Sequence, residues 1–274
     1  MTVPGVAAAL DPVPVSCPGP AAASSTAPIT GDASTDPLLA PEVDFGGTRL
    51  RLLPERAAWV EDLGLLLVAD LHLGKPQAFR RLGVPVPEGS TDDDLQRLSR
   101  LLAATAARHL VFLGDLLHAR ASRAPGLLSA VAGWRSRHAE VAMALVRGNH
   151  DARSGDPPAG WGVSLVDEPW DFGPLALCHH PQEVPGRAVI AGHVHPGVVL
   201  GSAADRLRLP CFHVGPRCTV LPAYGSFTGL HLVQPGPHDR LWAVADDRVW
   251  SVPAPAVRRV RPARASREVQ ARPG

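Results

Sequence analysis

Five short segments of this chain each follow an apolar run and end in side chains with metal-binding lone pairs. They are Asp70-Leu71-His72, Gly114-Asp115, Gly148-Asn149-His150-Asp151, His179-His180 and Gly192-His193-Val194-His195. Together they offer carboxylates, imidazoles and one amide. That mixture suits two divalent ions sharing a site, and it favours manganese, iron or zinc over magnesium or calcium, which want oxygen alone. No cysteine falls within the five segments, which argues against a structural zinc site there. A dinuclear centre implies one kind of chemistry, water attacking a phosphate ester. A lone histidine is far more often a surface or hydrogen-bonded residue than a ligand. Five such segments in order outweigh that.

Each segment needs an element to deliver it. Leu65–Ala69 is a continuous apolar run, the pattern of a strand covered on both faces, and it stops at Asp70. Residues 110–113, 141–146, 175–178 and Ala188–Ala191 read as four more buried strands, each running up to one of the remaining segments. Open α/β sheets gather ligands at the C-terminal ends of their strands. Residues 91–108 predict a helix, with Thr91 as its cap and Asp92, Asp93 and Asp94 at the positive end of its dipole. A shorter helix is predicted over 126–138. Two alternating strands, Thr48–Leu53 and Ala57–Val60, come first. Later strands (208–214, 218–221, 231–233, 241–244 and Arg248–Val252) follow without long helices and predict a more antiparallel second sheet. The expected class is α/β, two packed mixed sheets with helices outside.

The length of 274 residues suits one large domain. Residues 1–40 are Ala, Pro, Ser and Thr with few large apolar side chains, and are expected to be disordered. The globular domain is placed at 41–257, followed by an Arg-rich tail at 258–274. Formal net charge is +1, but the tail holds six Arg against one Glu, so residues 1–257 are at −4. A polyanion would be held by local patches or by that tail. Lys75 is the only lysine among 27 basic residues, three positions beyond the Asp-x-His segment, which marks it for a role that needs an ammonium. Four scattered cysteines with no CxxC pair suggest reduced thiols in a cytosol. No segment reaches the roughly 20 apolar residues of a membrane span. The N-terminal region lacks a basic residue before Arg49 and is broken by Pro4, Pro12 and Pro14, unlike a signal peptide. A cytoplasmic protein is expected.

The five segments, in this order, resemble the signature of calcineurin-like metallophosphoesterases. A finer resemblance is to the ligase-associated DNA damage response endonuclease (PdeM) family. It is carried by residues 68–75, by Phe79-Arg80-Arg81-x-Gly83, by residues 112–118, by Pro210-Cys211-Phe212 and by residues 221–229. The likeness spans about residues 50–252. The chain departs from the family pattern at His213 and Tyr224, neither on a ligand segment, so these departures bear on substrate fit rather than chemistry.

The resemblance implies the α/β/β/α metallophosphoesterase fold and a specific division of labour. Asp115, with two carboxylate oxygens, would bridge the ions. Asp70, His72 and His195 would complete one, and Asn149, His179 and His193 the other. His179 is preferred to His180, which would support it. A hydroxide between the ions would attack phosphorus, and His150, with Asp151 orienting it, would protonate the leaving oxygen. Lys75, Arg147 and His118 are candidate phosphate contacts; Arg147 could instead pair with a carboxylate, His118 hydrogen-bond a metal ligand, and Lys75 simply sit on a surface loop. Phe79-Arg80-Arg81 could stack on and grip a nucleic-acid strand, or form an ordinary amphipathic loop. The resemblance further implies DNA as substrate, a role in DNA repair, and association with an ATP-dependent DNA ligase and a helicase. Two other readings stand beside it: hydrolysis of small phosphodiesters or nucleotides, since one such centre serves many substrates, and a non-catalytic subunit of a repair assembly.

Overall fold

The computed structural model describes residues 40–81, 83–85, 89–201 and 206–253. The expected disordered segment, apart from Ala40, and the Arg-rich tail lie outside the described residues.

The first sheet has seven strands side by side in chain order: β1 (Glu42–Phe45), β2 (Thr48–Leu53), β3 (Ala57–Val60), β4 (Leu65–Ala69), β5 (His109–Leu113), β6 (Ala142–Val146) and β7 (Val163–Val166). Strands β1 to β4 are joined by short turns and pair antiparallel. From β4 to β7 the pairing is parallel, which requires crossovers. The crossovers carry helices α1 (Lys75–Arg81), α2 (Ser90–Thr105), α3 (Pro125–Arg137) and α4 (Asn149–Ser154).

The second sheet is built from β8 (Trp170–Phe172), β9 (Leu175–Leu177), β10 (Ala188–Ala191), β11 (Pro196–Gly201), β12 (Arg206–Val214), β13 (Cys218–Val220), β14 (His231–Leu232), β15 (Arg240–Ala245) and β16 (Arg248–Val252). Its order is β14-β11-β12-β13-β10-β9-β8, with β15 pairing to both β12 and β16. Most of its pairs are antiparallel, while β10 lies parallel to both β9 and β13.

Strand periodicity explains the continuous apolar runs. In β4, Leu66 and Val68 pack under the helices with Leu98, Leu102, Val131 and Trp134. Leu65, Leu67 and Ala69 point the other way, into the layer between the sheets with Leu177, Ile190 and Phe212. Both faces of that strand are therefore dry. The far face of the second sheet carries a smaller cluster of Ala176, Cys178, Val189 and Ala191. None of the described helices is long and apolar enough to cross a membrane.

Elements absent from the sequence reading share a cause. Strands β1, β7 and β8 are three or four residues long, too short for a periodic signal. Strand β11 opens on Pro196-Gly197, a turn-like pair. Helix α1 hides behind Pro76, which its first turn tolerates. Helix α4 has no apolar period at all.

Ile190 is fully buried between the sheets, whereas Val199 is 38% exposed. Ile190→Ala should lower unfolding stability by about 2–5 kcal/mol, read from the urea midpoint. Val199→Ala should stay within about 0.5 kcal/mol of the parent.

Candidate metal centre

The parallel strands end in register, Ala69 opposite Leu113 and Leu113 opposite Val146. The segments that follow therefore emerge together. Beyond the strands their backbones stay zipped. The Asp70 N–H donates to the Gly114 carbonyl (3.3 Å), His72 N–H to Asp115 O (2.8 Å) and Leu73 N–H to Leu116 O (2.9 Å). The second sheet is tied on at the same end. Leu221 N–H donates to Ala191 O (2.8 Å) and Tyr224 N–H to Ala69 O (2.7 Å). The approach is tight enough to need glycine at Gly192, where a Cβ would lie 2.8 Å from both Asp70 Oδ2 and Leu113 O.

Eight described non-glycine residues take positive φ. Five of them are Asp70 (54°), His72 (47°), Asp115 (52°), His193 (69°) and His195 (52°). Left-handed backbone costs an L-residue about 1–2 kcal/mol. Such strain clusters where function needs side chains aimed against local preference.

The aimed atoms crowd. His72 Nε2 is 3.3 Å from His195 Nε2 and 3.8 Å from Asp115 Oδ2. His195 Nε2 is 3.5 Å from Asp70 Oδ1. On the other side, His179 Nε2 is 3.0 Å from Asn149 Oδ1, 3.1 Å from His193 Nδ1 and 3.6 Å from Asp115 Oδ1. All seven residues expected to bind metal thus come together, with the two Asp115 oxygens facing opposite groups.

These contacts crowd groups that all carry ligand lone pairs. His179 Nδ1 lies 3.0 Å from the Leu113 carbonyl, which can only accept, so Nδ1 carries the proton. In the neutral ring the Nε2 lone pair then points at Asn149 Oδ1. Burial pushes His72 down to about 2, with His195 and Lys75 adding to it, so that ring keeps a free lone pair at neutral pH. Asp70 is fully buried and its Oδ1 has no hydrogen-bond partner. Free imidazole lone pairs beside a buried, orphaned carboxylate oxygen are suited to a cation between them. Divalent cations fit this donor set. The groups Asp70/His72/His195 and Asp70/Asp115/His179 each bring one ligand atom per residue within 4.8 Å of the others.

One supporting carboxylate takes a different role from the one read in the sequence, and a second escaped that reading. Asp151 does not orient His150. Its buried carboxylate accepts N–H bonds from Asp115 (2.7 Å), Gly148 (3.0 Å), Leu116 (3.0 Å) and Leu117 (3.3 Å). Burial raises it to about 6, with the N–H donors opposing and the Asp115 charge adding. His150 is held instead by the His118 carbonyl, 2.9 Å from its Nδ1. Glu168 is the second. It accepts the N–H groups of His179 (2.7 Å) and His180 (2.8 Å) and the ring Nδ1–H of His180 (2.6 Å). Burial opposes its ionisation, yet these donors hold the carboxyl below its usual range. His180 is thereby turned to Glu168, while His179 faces Asp115. Only the three-dimensional turn brings Glu168 there, eleven residues from His179.

The candidate phosphate contacts divide. Lys75 is half-buried; burial lowers its pKa, and the charges of Asp115 and Asp70 oppose this. His118 stacks on His150, ring centroids 5.4 Å apart, and burial pushes it down to about 4. Arg147 takes the carboxylate-pairing alternative. Its guanidinium makes a two-pronged bond to Asp156 (2.9 and 2.8 Å) and a third to Asp167 (3.3 Å). The planar fork matches a carboxylate and is directed there.

Two outcomes follow from the supporting carboxylates. Asp151→Asn should replace one accepting oxygen with an NH2 group that cannot accept from the N–H donors facing it, lowering the melting temperature by several degrees in a thermal scan. Glu168→Ala should weaken metal binding by about 10–100-fold in a chelator competition, with the fold retained by circular dichroism.

Among solved structures, the crystal structure of the Pseudomonas putida nuclease MPE aligns over 77% of this chain and 99% of its own, at 42% sequence identity and a TM-score of 0.69. The E. coli phosphoesterase Yfce aligns over 67% of this chain and 88% of its own, at 17% identity and a TM-score of 0.33, a likeness too loose to carry an argument. No family model matches the chain, and no curated protein matches it. The strand-end segments, the two-sheet fold and the 42% identity over nearly all of the nuclease agree, and the chain belongs to the PdeM family of calcineurin-like metallophosphoesterases.

Proposed function

We propose that this metallophosphoesterase is a nuclease that hydrolyses phosphodiester bonds of DNA with two divalent metal ions, manganese first among them. The observation that carries the reading is the Asp115 carboxylate, with Oδ2 3.8 Å from His72 Nε2 and Oδ1 3.6 Å from His179 Nε2. One carboxylate reaching two separate donor groups is what a shared site requires. Asp70, His72 and His195 would hold one ion, and Asn149, His179 and His193 the other. When bound, the two ions supply Lewis acidity toward phosphate oxygens and a water of lowered pKa.

The remaining work falls to side chains of the chain itself. His150 is about a third exposed, its Nε2 is 3.9 Å from Asp115 Oδ2, and its Nδ1 is occupied by the His118 carbonyl. It can hold a proton at Nε2 and pass it to the leaving oxygen. The Lys75 ammonium and His118 flank the same side and can meet the phosphate. A nucleic-acid substrate is supported by the nuclease relative, and its being DNA by the family resemblance. The family resemblance extends the reading to DNA repair beside an ATP-dependent DNA ligase and a helicase, in the cytoplasm.

The test is an assay of full-length protein, stripped with EDTA and reloaded with manganese, on single-stranded DNA, duplex DNA and bis(4-nitrophenyl) phosphate. Stripped protein should be inactive and manganese should restore cleavage of DNA. Turnover confined to the small ester would replace the nuclease reading with a small-phosphodiesterase one. Asp115→Asn should lose metal and reduce hydrolysis to background with its circular dichroism unchanged; retained activity would sink the shared-site mechanism.

A further inference from the structure

Phe79 and Phe227 are half-buried, and neither belongs to any of the hydrophobic clusters that make up the core. They come from distant parts of the chain yet meet in an edge-to-face contact, ring centroids 5.4 Å apart. Phe79 also lies 6.4 Å from the His118 ring, which is 5.6 Å from His72. An aromatic wall therefore runs from a proposed metal ligand out to partly open surface.

Both rings are positioned before any ligand arrives. Phe79 follows Lys75 by four residues on α1, which places the two on one helical face. Phe227 sits in a loop pinned on both sides. Ser226 donates its Oγ–H to Asp94 (2.6 Å) and its N–H to the same carboxylate (3.3 Å), and Thr228 donates to the Gly225 carbonyl (2.9 Å). Arg97 covers the Tyr224 ring at 4.0 Å and anchors the start of that loop to α2. Two large apolar rings outside the core stand on braced supports beside a phosphodiester site, each still partly open to solvent.

We infer that Phe79 and Phe227 form a stacking subsite for a nucleobase of the substrate strand, on the Lys75 side of the metal centre. The inference rests on the nuclease reading above and adds to it the part of the nucleotide that is recognised. Every base has a π-face, so such a subsite holds the strand without choosing a sequence. The base must leave its neighbour in the stack to reach the rings.

The experiment is a cycle of protein and substrate changes. Manganese-loaded full-length protein and its Phe79→Ala/Phe227→Ala variant are assayed on single-stranded DNA, either intact or with one abasic residue moved through the positions flanking the cut. For the parent protein, removing the base at one position should lower kcat/KM by about tenfold, as base–aromatic stacking gives. For the double variant the same removal should change little. Phe79→Leu/Phe227→Leu keeps apolar bulk without a π-face and should behave like the alanine pair; it serves if the alanine pair does not fold. Base removal that costs both proteins equally overturns the subsite while leaving the nuclease reading intact. A parent protein that hydrolyses bis(4-nitrophenyl) phosphate but cuts no nucleic acid overturns both.

Discussion

Imidazole nitrogens and carboxylate and amide oxygens are held within 3–4 Å of one another at the strand ends, and much of the surrounding structure resists their separation. Asp70 and Asp115 are both buried, with His195 Nε2 3.5 Å from Asp70 Oδ1 and His179 Nε2 3.6 Å from Asp115 Oδ1. Left without positive charge, such an arrangement would be driven apart or neutralised by protons. The backbone blocks the first escape. Five of the residues are fixed in left-handed conformations and the flanking loops are zipped to one another. A divalent cation converts the crowding into attraction, which makes metal binding and local stability two sides of one equilibrium.

Resistance comes from acceptors set behind the centre. Asp151 gathers four N–H groups around the Asp115 turn, and Glu168 gathers those of His179 and His180. Asp94 does the same for Ser226 in the loop that joins the two sheets. Each is a charged acceptor of backbone donors that strand pairing leaves unpaired at a sheet end. Turns that would otherwise be soft become rigid enough to aim a side chain. The same economy explains Arg147: next to the site in sequence, it is spent on Asp156 and Asp167 and stiffens the β6–β7 end instead.

The chemistry and the proposed recognition share a wall. His72, His118 and His150 form one aromatic group against the centre, and Phe79 and Phe227 continue it outward. Helix α1 links the two, since Lys75 faces the carboxylates and Phe79 lies one turn on. A phosphodiester bound at the metals would then have charge on one side and a flat apolar surface beside it, the two features a nucleotide presents.

The strands that end in the five segments, and the identity of the residues gathered there, were legible from the chain alone. Buried strands declare themselves as unbroken apolar runs, and Asp, Asn and His in short fixed spacings beyond them have few other common uses. Tertiary structure alone decided which of the remaining polar residues serve the site. Asp151 was read as a partner of His150 and became the brace of the Asp115 turn, while Arg147 was turned away by two carboxylates. Glu168 gave no signal and Phe227 none beyond its place in the 221–229 family segment, because each reaches its partners from a separate turn. Spacing along one strand or helix is set by covalent geometry and can be read locally. Contacts between loops depend on how two sheets and their helices pack, and no local pattern encodes that.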